Sequence, residues 1–301
     1  MTSLLSSTIA PREAVGEPSN PLGLQGIEFI EYATARPQSL GQSLEKLGFR
    51  PVARHRSREV LLYRQGSINV IVNAHRGPDD PPMPDEAVIS AVALRVRDAA
   101  RAYRRVLELG AWAVPVNVEV MELHIPAIHG VGTSRIYFVD RCAEFSIYDV
   151  DFIPISNNTA GVESEPPALP GLKLFGLVQY VGADRMADWI TFYGELFGFT
   201  ELPSDVRFGV LPEGCVLASP CGTLHWQLIE PAPELSALGG GEELLQRVAF
   251  STNDVLATIA ALKARGVEFV ESDTGVRSSE SGALTRPSDQ GPSFEFVRTP
   301  A

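Results

Sequence analysis

The sequence is short of the residues that most often announce a chemistry. Of 301 residues only five are histidine and three are cysteine, and no histidine falls between Gly130 and Leu224. Cys142, Cys215 and Cys221 are too few and too unevenly spaced for a disulfide framework, which fits a reducing cytoplasm. No apolar run approaches the roughly 20 residues that a membrane span needs. Positive charge is also scarce, 25 Lys and Arg against 37 Asp and Glu, for a net charge of −12. A surface of that sign repels phosphate backbones, so the expected partners include neither nucleic acid nor membrane. Met1–Asn20 lacks a basic stretch leading into an apolar core and does not read as a secretory signal. Its Ser, Pro and Glu content reads as a loose arm over residues 1–20.

What is present is a well-patterned chain. Hydrophobic residues make up 45%, enough for ordinary cores, and the length suits two domains of about 150 residues. Gly26–Ala33 alternates apolar and acidic residues, as a half-buried strand does. Leu40–Leu47 follows as a short helix ended by Gly48. Val60–Gln65 and Ile68–Asn73 read as a hairpin turning on Gly66-Ser67. Val88–Val96 reads as a buried strand and Ala99–Leu109 as a helix stopped by Gly110. Ala111–Val120 and Arg135–Asp140 read as strands, and Ser146–Phe152 closes the half. The Pro-, Ser-, Asn- and Glu-rich stretch 154–170 reads as a solvated connector.

The second half repeats the first. Gly176–Tyr180 matches Gly26–Ile30, and Leu196–Phe199 matches the turn at Leu47–Phe49, both 150 positions on. Val248–Asp254 matches Val92–Asp98 at an offset of 156, and the following helices both end on glycine, Gly110 and Gly266. Such self-similarity implies a duplicated unit. The expected fold class is therefore α+β: two βαβββ modules, residues 21–153 and 171–301, each curling a sheet around a pocket with helices over its outer face.

Gly26–Ala33, His55–Arg58, Leu62–Gly66, Ile68–Ile71, Tyr103–Ala111, Met121–Leu123 with Pro126–Ile128, and Tyr137–Arg141 together resemble the N-terminal half of 4-hydroxyphenylpyruvate dioxygenases. These are vicinal-oxygen-chelate (glyoxalase/bleomycin resistance/dioxygenase) proteins of tyrosine breakdown. The second half resembles them through Trp189–Phe199, Gln246–Phe250 and Phe294–Phe296. The resemblance implies iron(II) held in the second half by two histidines and a glutamate, open to a 2-oxo acid and oxygen. The glutamate falls on Glu295 and the second histidine on Arg247. The first falls near Gly176, with Phe175 or Leu177 as neighbouring registers. Arginine cannot become a ligand and glycine has no side chain to offer. Glu295 is thus the one retained candidate metal ligand, and no metal cofactor is expected unless the iron enzyme is intact after all.

Arg247 and Glu295 are the leading ligand-binding candidates, either as a structural salt bridge or as an arginine that receives a carboxylate ligand. Gln179 and Gln227 join them. His124 and His129 are taken as loop residues and not as a relocated metal site. Cys215, Cys221 and His225 lack a fourth zinc ligand. His55 with Arg54 and Arg56 reads as a solvated basic cluster. The first half is expected to be structural, with Ala91 at the position that Arg247 occupies in the second. Three functions stay open: a carboxylate- or aromatic 2-oxo acid-binding protein or metal-independent enzyme, an iron-dependent dioxygenase, and an interaction domain. Self-association is left open.

Overall fold

The computed structural model describes residues 19–77, 82–115, 123–140, 146–155, 169, 171–204, 210, 214–230, 242–272, 277–287 and 291–299. The first module contains β1 (Leu24–Ala33), α1 (Pro37–Lys46), β2 (Arg50–His55), β3 (Val60–Gln65), β4 (Ile68–Asn73), β5 (Val88–Val96), α2 (Ala99–Glu108), β6 (Ala127–His129), β7 (Arg135–Val139), α3 (Ile147–Asp151) and β8 (Phe152–Pro154). The second contains β9 (Lys173–Tyr180), α4 (Met186–Phe197), β10 (Thr200–Glu201), β11 (Cys215–Ala218), β12 (His225–Ile229), β13 (Leu244–Thr252), α5 (Val255–Lys263), β14 (Gly282–Leu284) and β15 (Phe294–Arg298). Each module forms one mixed sheet, in the orders β6-β7-β5-β1-β4-β3-β2-β8 and β10-β11-β12-β9-β13-β15-β14.

The duplication is visible in the caps. Asp98 and Asp254 sit at the N-caps of α2 and α5 and accept from the backbone N–H of Arg101 and Ala257 at 2.8 and 2.9 Å. Each thereby satisfies one of the four N–H groups that a helix start leaves without a partner. Gly48 and Gly198 follow α1 and α4 at φ +101° and +76°, a left-handed stop that a side chain would strain.

The helix-covered faces of the two sheets meet in one shared core. Leu44, Val92, Phe138, Phe197, Phe250 and Phe296 all belong to it. Phe138 of β7 stacks on Phe197 of α4 at 6.4 Å, and Phe49 lies 6.0 Å from Phe250. Burying each such ring is worth about 1.5–3 kcal/mol, so the modules stabilise one another through their backs. Their concave faces are left pointing away, each with a small apolar cluster of its own.

Several sequence expectations change. Ala111–Val120 is not a strand where it is described: only Ala113 makes a bridge, to Ile128, and Trp112 is 79% exposed; 116–120 lie outside the described residues. Ser146–Phe152 is a helix start. Ser146 accepts from the Tyr148 N–H while Asp149 accepts from the Ser146 N–H, a capping box that coils the chain before β8. In the first module β2 and β6 appear where no strand was expected, and in the second β10, β11 and β14 do. Most of the connector 154–170 lies outside the described residues, though Leu169 is buried.

Candidate functional site

Register decides which side chains share the second module's concave face. β13 runs antiparallel to β9, placing Ala249 beside Gly176 and Arg247 beside Val178. Its other neighbour, the parallel β15, sets Glu295 beside Ala249. β12 adds His225 beside Gly176 and Gln227 beside Val178. Alternation then sends Val248, Phe250, Phe294 and Phe296 into the shared core and Arg247, Glu295, His225 and Gln227 to the other side.

Arg247 and Glu295 meet there. Arg247 Nε donates to Glu295 Oε2 at 2.8 Å, and the two residues are 2% and 1% exposed. Arg247 Nη1 donates to Gln246 Oε1 at 3.1 Å, and Glu295 Oε1 accepts from the Val210 N–H at 2.8 Å. Arg247 Nη2 is buried and has no hydrogen-bond partner among the described residues. Desolvating two charges costs several kcal/mol per ion, and the pair persists because each member also has a second hydrogen bond.

Around the pair the space is filled. Phe175 is bulged out of the β9–β13 ladder and stacks on the His225 ring at 4.3 Å and 12°. Burial lowers the pKa of His225, against a smaller opposing effect of its hydrogen bond to the Phe175 backbone. A Cβ at Gly176 would collide with the backbone carbonyl of His225, so β9 and β12 approach more closely than any side chain there would allow. The cavity between Phe175, His225, Gln227 and Glu295 measures about 10 Å³, room for about one water.

Two comparisons of sequence bear on this. Residues 19–153 match the hydroxyphenylpyruvate dioxygenase N-terminal family, and residues 176–280 match the glyoxalase/bleomycin resistance protein/dioxygenase superfamily. The chain is 38% identical over 275 residues to a 4-hydroxyphenylpyruvate dioxygenase of Pseudomonas sp. (strain P.J. 874), covering 83% of this chain and 72% of that one. The chain belongs to the hydroxyphenylpyruvate dioxygenase family. It is also 34% identical over 264 residues to hemolysin VllY of Vibrio vulnificus, covering 83% and 73% of the two chains. A mutant of 4-hydroxymandelate synthase from Streptomyces coelicolor shares the fold, with a TM-score of 0.70 at 17% identity over 92% of this chain and 93% of that one.

Within the family frame, the residues singled out from sequence separate into two groups. Arg247, Glu295 and Gln227 share the concave face. Gln179 does not: its carbonyl oxygen accepts from Tyr193 Oη at 2.6 Å and Trp226 Nε1 at 3.0 Å, inside the shared core. Gln179 directly follows Val178, which lies beside Arg247 and Gln227, so alternation along β9 turns it to the helix side. Gln179 is therefore a buried structural amide. His225, read in sequence only as part of a weak Cys/His group, is the site residue that was missed. The signal was the alternation of His225 and Gln227 along one strand.

The cysteine group separates in space. His225 pairs with Ala218, Cys215 with Leu228. Burial first, then the Glu201 carboxylate, push the Cys215 thiol up to about 12, which removes it as a thiolate nucleophile. Cys221 Sγ lies 3.1 Å from Ser219 Oγ and 3.2 Å from Thr223 Oγ1; Cys142 lies outside the described residues. His124 and His129 are exposed, the latter ending β6. His55 is a turn residue closing β2, accepting at Nδ1 from the N–H groups of Ser57 and Arg58 at 3.3 and 3.2 Å. Among the described residues no three His, Cys, Asp or Glu side chains group as a metal site would require.

Proposed function

We infer that this chain is a family member that binds a small carboxylate or aromatic 2-oxo acid without iron, and that it is not a 4-hydroxyphenylpyruvate dioxygenase. The observation that carries this reading is the buried Arg247–Glu295 pair at 2.8 Å. Glu295 is where the family resemblance puts the carboxylate ligand, and Arg247 is where it puts an imidazole. A ferrous ion about 4 Å from a guanidinium meets a repulsion of several kcal/mol even at an effective dielectric near 20. Glu295 already has both oxygens occupied, by Arg247 and by the Val210 N–H. Gly176, the third position, admits no side chain beside the His225 carbonyl. These residues do not fit iron(II) held by two imidazoles and a carboxylate.

What favours an acid ligand is the donor that remains. Arg247 Nη2 is buried and without a hydrogen bond among the described residues, and a guanidinium donor matches a carboxylate oxygen. The cavity beside Glu295 has room for about one water, so binding an acid group there requires this face to open.

The competing reading is the iron-dependent dioxygenase. It is favoured by the 38% identity to the Pseudomonas enzyme and by His225, an imidazole lining the same cavity as Glu295. Elemental analysis of the purified protein, followed by incubation with 4-hydroxyphenylpyruvate, ferrous iron and ascorbate, separates the two. The expected result is no stoichiometric iron and no homogentisate. Robust turnover, or iron bound in a manner abolished by Glu295→Ala, overturns the reading.

A further inference from the structure

The two concave faces differ in how full they are. Behind Glu295 about 10 Å³ is left, whereas the corresponding face of the first sheet encloses about 220 Å³. Register shows which positions differ. The first-module row Ile71, Glu31, Ala91, Arg135 is the counterpart of Gln227, Val178, Arg247 in the second. Ala91 stands where Arg247 stands, so the first face carries no buried guanidinium at that position.

The open cavity is built like a ligand site. Its floor is apolar, with Phe29, Val60, Ile71 and Phe152 among its residues. The Phe29 and Tyr137 rings lie 6.0 Å apart at 45°, presenting aromatic surface to an occupant. Its rim is polar. Glu31 accepts from Asn73 Nδ2 and Ser90 Oγ, both at 3.0 Å, and Asp151 accepts from the Leu123 N–H at 3.2 Å. Both carboxylates therefore already accept hydrogen bonds from within the chain. Two guanidiniums, Arg58 and Arg135, and the His55 imidazole line the same opening. Burial and the Glu31 carboxylate raise the pKa of Tyr137, opposed by the hydrogen bond and charge of Arg135 and by the charge of Arg58. Tyr137, Glu31 and both arginines thus act on one small volume.

We propose that this first-module pocket binds a single-ring aromatic carboxylate, its ring on the Phe29–Tyr137 floor and its acid group at Arg58 and Arg135. The size selects the class, because a cavity of 220 Å³ falls below the roughly 300–1,000 Å³ of sites for drug-sized ligands. The chemistry selects the charge, because a guanidinium pairs with a carboxylate by charge-assisted, often bidentate hydrogen bonds. This site stands whatever the second module binds, and it revises the expectation that the first half is structural.

The test uses the full chain with labelled isoleucine and valine methyl groups and 4-hydroxybenzoate as the probe. Val60, Ile71 and Ile125 report on the first pocket; Val178, Val216 and Val297 report on the second. Saturable shifts confined to the first set are expected, and Arg58→Gln with Arg135→Gln should weaken them by about tenfold or more. The neutral analogue 4-hydroxybenzyl alcohol should bind the unaltered chain at least about tenfold more weakly, a readout that needs no variant to fold. No saturable shift below about 10 mM, equal binding of the alcohol, or shifts in the second set alone each overturn the proposal. The last of these outcomes leaves the reading of Arg247 standing.

Discussion

Replacing Glu295 by alanine would strand the Arg247 guanidinium, 2% exposed, with Gln246 Oε1 as its remaining partner among the described residues. Removing one member of a buried pair costs about 3–5 kcal/mol, because the other charge stays desolvated. At about 2–4 °C per kcal/mol for a chain of this size class, the melting temperature should fall by roughly 6–20 °C. Arg247→Met should cost a similar amount by stranding the carboxylate, which among the described residues keeps the Val210 N–H at 2.8 Å. The double variant Arg247→Met/Glu295→Leu removes both charges and fills the space with apolar atoms. Its main remaining cost is the unmet Val210 N–H, about 1–3 kcal/mol. Urea unfolding of all four proteins closes a double-mutant cycle, and a favourable coupling above about 2 kcal/mol is expected. Singles costing under about 1 kcal/mol, as exposed pairs do, or effects that add within about 0.5 kcal/mol, would refute the buried pair.

Two further outcomes follow from individual histidines. Burial lowers the pKa of His225 below its usual 6.5, so the folded chain resists its protonation. The stability it contributes is complete above about pH 6.5 and is lost as pH falls through the lowered folded value; urea midpoints near pH 7.5 and 5.5 should drop more steeply for the natural chain than for His225→Asn, and parallel profiles would contradict this. His124→Ala and His129→Ala change exposed side chains and should alter stability by no more than about 0.5 kcal/mol; a loss of bound metal on either change would mean that a site lies in the first module.

The sequence carried the fold wherever periodicity and caps agreed. β3, β4 and β5 fall where alternation and the Gly66-Ser67 turn put them. β2 was hidden because its basic ends read as a solvated cluster, yet Ala53 at its middle is fully buried. β6 has three residues, too few for a period to register. Ala111–Val120 failed in the opposite way, since an apolar run was taken for a strand that tertiary pairing does not support. In the site, Arg247 and Glu295 were legible through the family resemblance, and both fall on the concave side of their strands, as Gln227 does. Gln179 was not: it sits one residue beyond Val178, so the same period of two turns it to the opposite face.

The same physics explains why the two halves, built alike, differ in what they can hold. Matching glycine to glycine pairs Gly26 with Gly176, but the sheets pair Phe29 with Gly176, since Ala93 faces Phe29 as Ala249 faces Gly176. Glu28 and Phe175 are then the equivalent bulged residues, one before each. By the same rows Asn69 answers to His225, Ile71 to Gln227, Tyr137 to Glu295 and Ala91 to Arg247. The first module places its charge at the bulge: Glu28 binds Arg95 at 2.7 Å, and Asn69 donates to the Glu28 backbone at 3.0 Å. In the middle of its concave face Phe29, Ile71 and Ala91 then surround Glu31. The second module places stacked rings at the bulge and the ion pair in the middle. Cavity volume follows the placement of charge: a buried pair persists when it is enclosed and each member has a further hydrogen bond, whereas an apolar floor with charges at the rim tolerates being open. The duplicated frame therefore carries one closed face and one open one, and the difference resides in a few inward-facing positions.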